Sequence, residues 1–218
     1  MSLRLAVMVS GSGSNLQALI DARRAGDLDA RIVAVICDQP GAQAIGRALA
    51  ARIPTICLPL RKGADRAQWA ALVADLIEPF RPDLVLMAGW MRIMPANFVE
   101  RFTPDLLNQH PALLPETDAD TYVTGDGREI PAIRGSHAVR DALRLGVPVT
   151  GCTIHRVTPL VDVGPVLARR EVAVAPGDTE ATLHERIKAA ERPMVIDVIN
   201  QLAAQAAQGR PVNVDHAR

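Results

Sequence analysis

Hydrophobic positions along the chain change period repeatedly, and the changes mark out alternating strands and helices. Leu3 to Ser10 is almost continuously apolar, as in a strand buried on both faces of a parallel sheet. It runs into Gly11-Ser12-Gly13-Ser14-Asn15, after which Leu16 to Arg24 takes helical spacing. Ile32 to Cys37 predicts a second strand, Ala42 to Ala51 a short helix and Pro54 to Leu58 a third strand. From Ala64 to about Glu78, Trp69, Leu72, Val73 and Leu76 predict the buried face of an amphipathic helix. Pro79 ends it, because proline lacks the N–H that a helix interior needs. Asp83 to Ala88 predicts a strand, Pro95 to Phe102 a short helix, and Leu106-Leu107 the end of a further buried strand.

The second half continues in the same alphabet. Thr121 to Thr124 and Arg128 to Ile130 flank Gly125-Asp126-Gly127, a hairpin signal. Val147 to Val157 predicts a long strand, Thr158 to Pro165 a turn, and Pro165 to Val174 a strand returning antiparallel at the sheet edge. Asp178 or Thr179 caps a final helix running to about Gln208, which Pro193 is expected to break or kink. Residues 209–218 form a polar tail. The fold class expected is α/β: a Rossmann-like three-layer domain over 1–208, with a mostly parallel central sheet, an antiparallel C-terminal hairpin and helices on both faces.

Composition narrows the function. Lys+Arg equals Asp+Glu at 24 each, so no basic field invites nucleic acid or an anionic membrane. No window approaches about 18 uninterrupted apolar residues, so no membrane helix is expected. The start of the chain is a strand pattern and not a signal peptide, which points to the cytoplasm. Cys37, Cys57 and Cys152 each lie in an apolar run without ligand spacing, and are expected as buried, reduced thiols rather than disulfide or zinc partners.

Candidate chemistry concentrates in Asn108-Gln109-His110-Pro111-Ala112-Leu113-Leu114-Pro115. Asn108 and His110, two apart on an extended chain, point to the same side. An amide donor beside an imidazole suits a carbonyl oxygen gaining negative charge. Taken alone, the pair fits a turn-capping Asn and a satisfied core His equally well. The strand, Gly-rich turn and helix at 3–24 suit an anion at a helix N-terminus. A dinucleotide-binding domain begins similarly, with Asp38 as its ribose acid, although Leu16 stands where that fingerprint needs a third small residue.

The run Asn-x-His-Pro-Ala-Leu-Leu-Pro resembles the signature of the folate-dependent formyltransferases. Gly13-Ser14-Asn15, the segment Gly89-Trp90-Met91-Arg92-Ile93-Met94 and Asp162-Val163-Gly164-Pro165 occur in the family's order. The resemblance covers roughly 1–115 and 135–205. It implies formyl transfer from 10-formyltetrahydrofolate, as co-substrate, to the amino group of glycinamide ribonucleotide in purine synthesis, without a metal. Asn108, His110 and Asp162 would be catalytic. Asn108 and a protonated His110 would meet the oxyanion, and Asp162 would favour the charged imidazole and help remove the amine's surplus proton.

Gly13, Ser14 and Asn15 would hold the substrate phosphate and Glu191 its ribose. Arg66, Met91, Arg92, Ile93, Met94, Thr158, Pro159, Leu160 and Val161 would line the folate site. A monomer or homodimer is expected. The chain is too short for the tRNA-binding domain, and begins too directly for the regulatory domain, that other family branches carry.

One stretch departs from the family pattern. Residues 116–134 form an insertion on the order of sixteen residues, long for a connection without structure of its own. A solvated hairpin or flap beside the site is expected, with an acidic, mobile start at Glu116 to Asp120. Ile133-Arg134 replaces the family's aromatic-Pro before Gly135. Two other readings stay open: a nucleotide-binding Rossmann module without formyl transfer, and a member whose insertion has displaced the folate loop.

Overall fold

The apolar runs become strands of one seven-stranded sheet in the computed structural model, which describes residues 2–208. The expected polar tail, 209–218, lies outside the described residues. In chain order the elements are β1 (Leu3–Val9), α1 (Ser14–Ala25), β2 (Ala30–Cys37), α2 (Gln43–Ala50), β3 (Thr55–Cys57), α3 (Arg66–Ile77), β4 (Leu84–Met87), α4 (Ala96–Phe102) and β5 (Leu106–His110). There follow β6 (Thr121–Val123), β7 (Glu129–Pro131), α5 (Ala138–Leu145), β8 (Val149–Arg156), β9 (Val166–Ala173) and α6 (Glu180–Ala207).

The strand order is β3-β2-β1-β4-β5-β8-β9. Pairing is parallel from β3 to β5, and antiparallel for β5–β8 and β8–β9. The order reverses between β1 and β4, so their C-terminal ends flank the crevice where open α/β sheets bind ligands.

Strand alternation sorts the core into two layers. Leu5, Val7 and Val9 of β1 pack with Leu16 and Leu19 of α1 and with Ile187, Val195, Val198 and Ile199 of α6. Ala6 and Met8 face the opposite way, onto Val73 and Ile77 of α3 and Phe98 of α4. In β5, Leu107 belongs to the first layer and Leu106 to the second. That parity sends Gln109 toward α1 and α6, and sends Asn108 and His110 to the other side.

Four expectations change. The buried face of α3 is Trp69, Ala70, Val73, Ala74 and Ile77, while Leu72 is 46% exposed. The row Trp69, Val73 and Ile77, with Ala70 and Ala74 beside it, packs into the core on one side of the sheet, which leaves Leu72 outward. Helix α6 continues through Pro193, so the proline does not break it. Buried side chains on both sides of the proline, Ile187 before it and Met194, Val195 and Val198 after it, hold the segment against the sheet despite the missing N–H. Cys57 is exposed, because β3 is a short edge strand, whereas Cys37 and Cys152 are buried. The β6–β7 hairpin is not fully solvated. Ile130 and Ile133 are buried against Ala112, Leu113, Ala138, Ala142 and Val147, with Tyr122 packed on the same cluster. At the start of the insertion, Glu116 lies 2.7 Å from Arg169.

Gly151 of β8 lies directly against the backbone of β9. A Cβ there would fall 2.1 Å from the Arg170 carbonyl oxygen and 2.8 Å from Leu113. Gly151→Ala is therefore expected to cost about 3 kcal/mol by forcing the strands apart. Chemical denaturation of the purified variant checks this, and unchanged stability would show that the strand pair shifts freely.

Candidate active site

Glycine is required at the entrance to α1 for two reasons. Gly13 has φ 68, in the left-handed region, and a Cβ there would fall 2.6 Å from the Ala44 Cβ. No side chain caps this helix, so Ser14 and Asn15 occupy its first positions with the amide groups directed at the crevice. The Asn15 side chain turns inward instead. Its Nδ2 donates to Glu191 Oε2 at 2.5 Å and reaches Gln109 Oε1 at 3.5 Å. Burial among these neighbours raises the Glu191 carboxyl above its ordinary value, against the lowering influence of the Asn15 hydrogen bond.

On the other side of β5, Asn108 and His110 converge on Asp162. His110 Nδ1 lies 3.5 Å from Asp162 Oδ2, and Asn108 Nδ2 lies 3.5 Å from Asp162 Oδ1. His110 Nε2 is 2.7 Å from the Ile133 carbonyl oxygen. A carbonyl only accepts, so Nε2 carries a proton, and in the neutral ring the lone pair is on Nδ1. Burial pulls the imidazole below its ordinary value, although Asp162 and the Ile133 carbonyl oppose this. Burial thus works against the charged form of the ring. Desolvation of a nearly enclosed ring is the reason.

Asp162 has φ 51, a strained conformation for a non-glycine residue, in the turn between β8 and β9. Its Oδ2 accepts the Gly135 N–H at 2.7 Å. Burial pushes this carboxyl up, but His155, His110 and the Gly135 N–H together bring it down to about 2. It is ionised at neutral pH.

His155, on β8, is a participant that sequence reasoning did not assign. Its Nδ1 is 2.9 Å from the Arg156 carbonyl and so carries a proton, which leaves Nε2 to accept from Asn108 Nδ2 at 3.2 Å. That contact orients the Asn108 amide. The signal was its place near the end of a long apolar strand, but the antiparallel register Asn108↔His155 could not be read without the pairing. Lys188 was also missed: it lines the cavity three residues before Glu191, the spacing of one helix face.

A cavity of about 440 Å³ opens between these groups. Gly13, Ser14, Asn15, Met91, Arg92, Ile93, Met94, Asn108, His110, Thr158, Pro159, Leu160, Val161, Asp162 and Glu191 all border it. Arg66 does not. Its guanidinium donates to the Ile93 carbonyl at 2.6 Å and so braces the cavity wall from outside. Arg92 is drawn away from a free surface position by an ion pair with Asp38, whose side chain is fully buried. That pairing also removes Asp38 from the ribose-binding role of a dinucleotide fingerprint. Met91 and Ile93 are exposed at the rim, while Met94 is buried under Trp90. Thr158 hydroxyl hydrogen bonds to the Leu160 and Val163 carbonyls hold the opposite rim.

Such a site defines a group-transfer protein with a polar trio at the end of one strand and an anion cradle across the crevice. The formyl transferase family model matches residues 3–199, and the chain belongs to that family. Phosphoribosylglycinamide formyltransferase of Mycobacterium tuberculosis (strain H37Rv) is 39% identical over 97% of this chain and 94% of its own length. The enzyme of that name from Bacillus subtilis (strain 168) is 30% identical over 91% of this chain and 94% of its own. Glycinamide ribonucleotide transformylase 1 from Symbiobacterium toebii superposes with a TM-score of 0.82 at 35% identity, over 93% of this chain and 88% of that one.

No helix among the described residues is long and apolar enough to cross a membrane. Among them, no group of three or more His, Cys, Asp and Glu side chains is arranged to hold a metal ion.

The depressed Asp162 carboxyl makes stability depend on pH. A carboxyl at about 2 when folded, against 3.8 ordinarily, contributes about 2 kcal/mol above pH 4 and loses it as pH falls toward 2. Thermal melts of the wild type and Asp162→Asn are expected to differ most above about pH 4 and to converge toward pH 2. A difference independent of pH would show that the charge is not the stabilising feature.

Proposed function

We propose that this chain transfers a formyl group from 10-formyltetrahydrofolate to the amino group of 5'-phosphoribosylglycinamide, the third step of de novo purine biosynthesis. The observation that carries the reading is the meeting of Asn108, His110 and Asp162 at one end of β5, across the cavity from the uncapped start of α1. Family membership and the names of near full-length relatives support the same reaction.

The ribonucleotide's phosphate is received by the free amides at Gly13, Ser14 and Asn15, with Lys188 as a nearby cation, and its ribose by Glu191. Positioning of this kind converts a bimolecular encounter into an aligned attack of the amine on the formyl carbon. Met91, Arg92, Ile93 and Met94 on one rim, and Thr158, Pro159, Leu160 and Val161 on the other, flank the slot for the folate. Arg66 acts from behind by fixing Ile93. As the formyl oxygen gains charge, Asn108 Nδ2 supplies a hydrogen bond. The lone pair on His110 Nδ1 takes up the amine's surplus proton, and the imidazolium so formed is stabilised by Asp162 and can return a proton to the departing folate nitrogen. The chain works in the cytoplasm, as a monomer or homodimer.

The test is an absorbance assay of formyl transfer from a 10-formyl folate, with and without the ribonucleotide. Turnover only with the ribonucleotide is expected. Folate loss without it would indicate a hydrolase, and no folate loss together with NAD binding would overturn the reading. His110→Ala and Asp162→Asn should each lower kcat by about 10²- to 10⁴-fold while ribonucleotide binding persists. Loss of binding with kcat retained would reverse these roles. Gly13→Ala should instead act mainly on the ribonucleotide KM, because the added methyl group displaces the start of α1 from Ala44.

A further inference from the structure

The β6–β7 hairpin leaves its mark on the site through two backbone groups. Its exit presents the Ile133 carbonyl to His110 Nε2 at 2.7 Å, and two residues later the Gly135 N–H meets Asp162 Oδ2 at 2.7 Å. One short stretch of backbone thus accepts from the base and donates to the acid beside it.

Two residues of β9, outside the cavity lining, grip the hairpin that leads into that stretch. The Arg169 guanidinium lies 5.4 Å from the Tyr122 ring centroid and 2.7 Å from Glu116, and its Nε donates to the Leu114 carbonyl at 2.5 Å. Two residues on, Glu171 Oε1 accepts the Gly125 N–H at 2.7 Å and lies 3.5 Å from the Tyr122 hydroxyl. Residues two apart on a strand share a face, so both reach the hairpin together. Between clamp and site, Ile130 and Ile133 are buried in a common apolar cluster with Tyr122 packed against it, which links the hairpin to the Ile133 backbone.

We propose that Arg169 and Glu171 are positioning residues for the formyl transfer, acting through the hairpin to keep the Ile133 carbonyl on His110 and so to reserve Nδ1 for the reacting proton. The inference rests on the proposed transfer reaction for its kinetic readout, and on His110 itself for an independent one. The groups facing the His110 ring are Asp162 in the β8–β9 turn, His155 on β8 and Arg134 at the hairpin's exit. Of these, the clamp controls the segment that carries Arg134 and Ile133.

The test uses Glu171→Ala, which removes an exposed side chain, with Glu171→Gln as the conservative variant retaining an oxygen for the Gly125 N–H. Nitrogen NMR of the imidazoles should show a protected His110 Nε2–H in the wild type. In Glu171→Ala that signal should exchange rapidly and the His110 titration should move to lower pH, because a proton acceptor has been loosened. The kcat should fall about five- to tenfold with the ribonucleotide KM changed less than about twofold, and Glu171→Gln should restore both. An unmoved His110 signal overturns the proposal, whether kcat falls or not. If the wild type transfers no formyl group, the proposed function fails, while the NMR comparison still decides the coupling.

Discussion

A carboxylate carried into a protein interior must be met by donors, or the fold loses more than the charge can return. Asp162 meets this demand with the Gly135 N–H on Oδ2 and the Asn108 amide beside Oδ1, and the rings of His110 from β5 and His155 from β8 enclose it, so three separate parts of the chain converge on it. The architecture around the cavity follows from bringing these parts together. The antiparallel β5–β8 pair sets His155 opposite Asn108, and the β8–β9 turn returns Asp162 in a left-handed conformation to the end of both strands. The charge that results is preorganised before any ligand arrives, which is the condition under which electrostatic stabilisation is strongest.

Strand β5 serves two sites at once because its side chains alternate. Asn108 and His110 look toward Asp162, and Gln109 between them looks toward Asn15 and Glu191. A slip of one residue in register would exchange the two sets, placing an amide among acids and an imidazole under α1. Leu106 and Leu107, buried in opposite layers of the core, guard against that slip. The placement of these side chains is therefore a consequence of hydrophobic patterning two residues upstream.

The hairpin adds a constraint of another kind. A chain that only needed to connect β5 to α5 could do so briefly, yet this one folds a two-stranded ribbon, packs it on its own apolar cluster and ties it to β9. Its exit then closes the cavity wall with main-chain groups, which do not depend on side-chain identity. Ile133 and Gly135 thus reach His110 and Asp162 through backbone groups alone.

The element order, the α/β class, the Gly13 turn and the pairing of Asn108 with His110 on one side were all legible in the amino-acid sequence. Each depends on local chemistry: the periodicity of apolar residues, the left-handed freedom of glycine, and the two-residue repeat of a strand. The buried face of α3, the persistence of α6 through Pro193 and the exposure of Cys57 were decided by packing, because a sequence repeat does not say which row meets the sheet or how firmly.

Tertiary structure alone decided the role of His155, the capture of Arg92 by Asp38, the protonated nitrogen of His110 and the grip of β9 on the hairpin. Every one of these is a contact between residues far apart in the chain, set by strand register and burial. By itself the sequence determined which chemical groups were present and which of them were neighbours along one strand. Only folding determined which partners desolvate and orient them, since hydrogen bonds and charge act over a few ångströms of space and not along the chain.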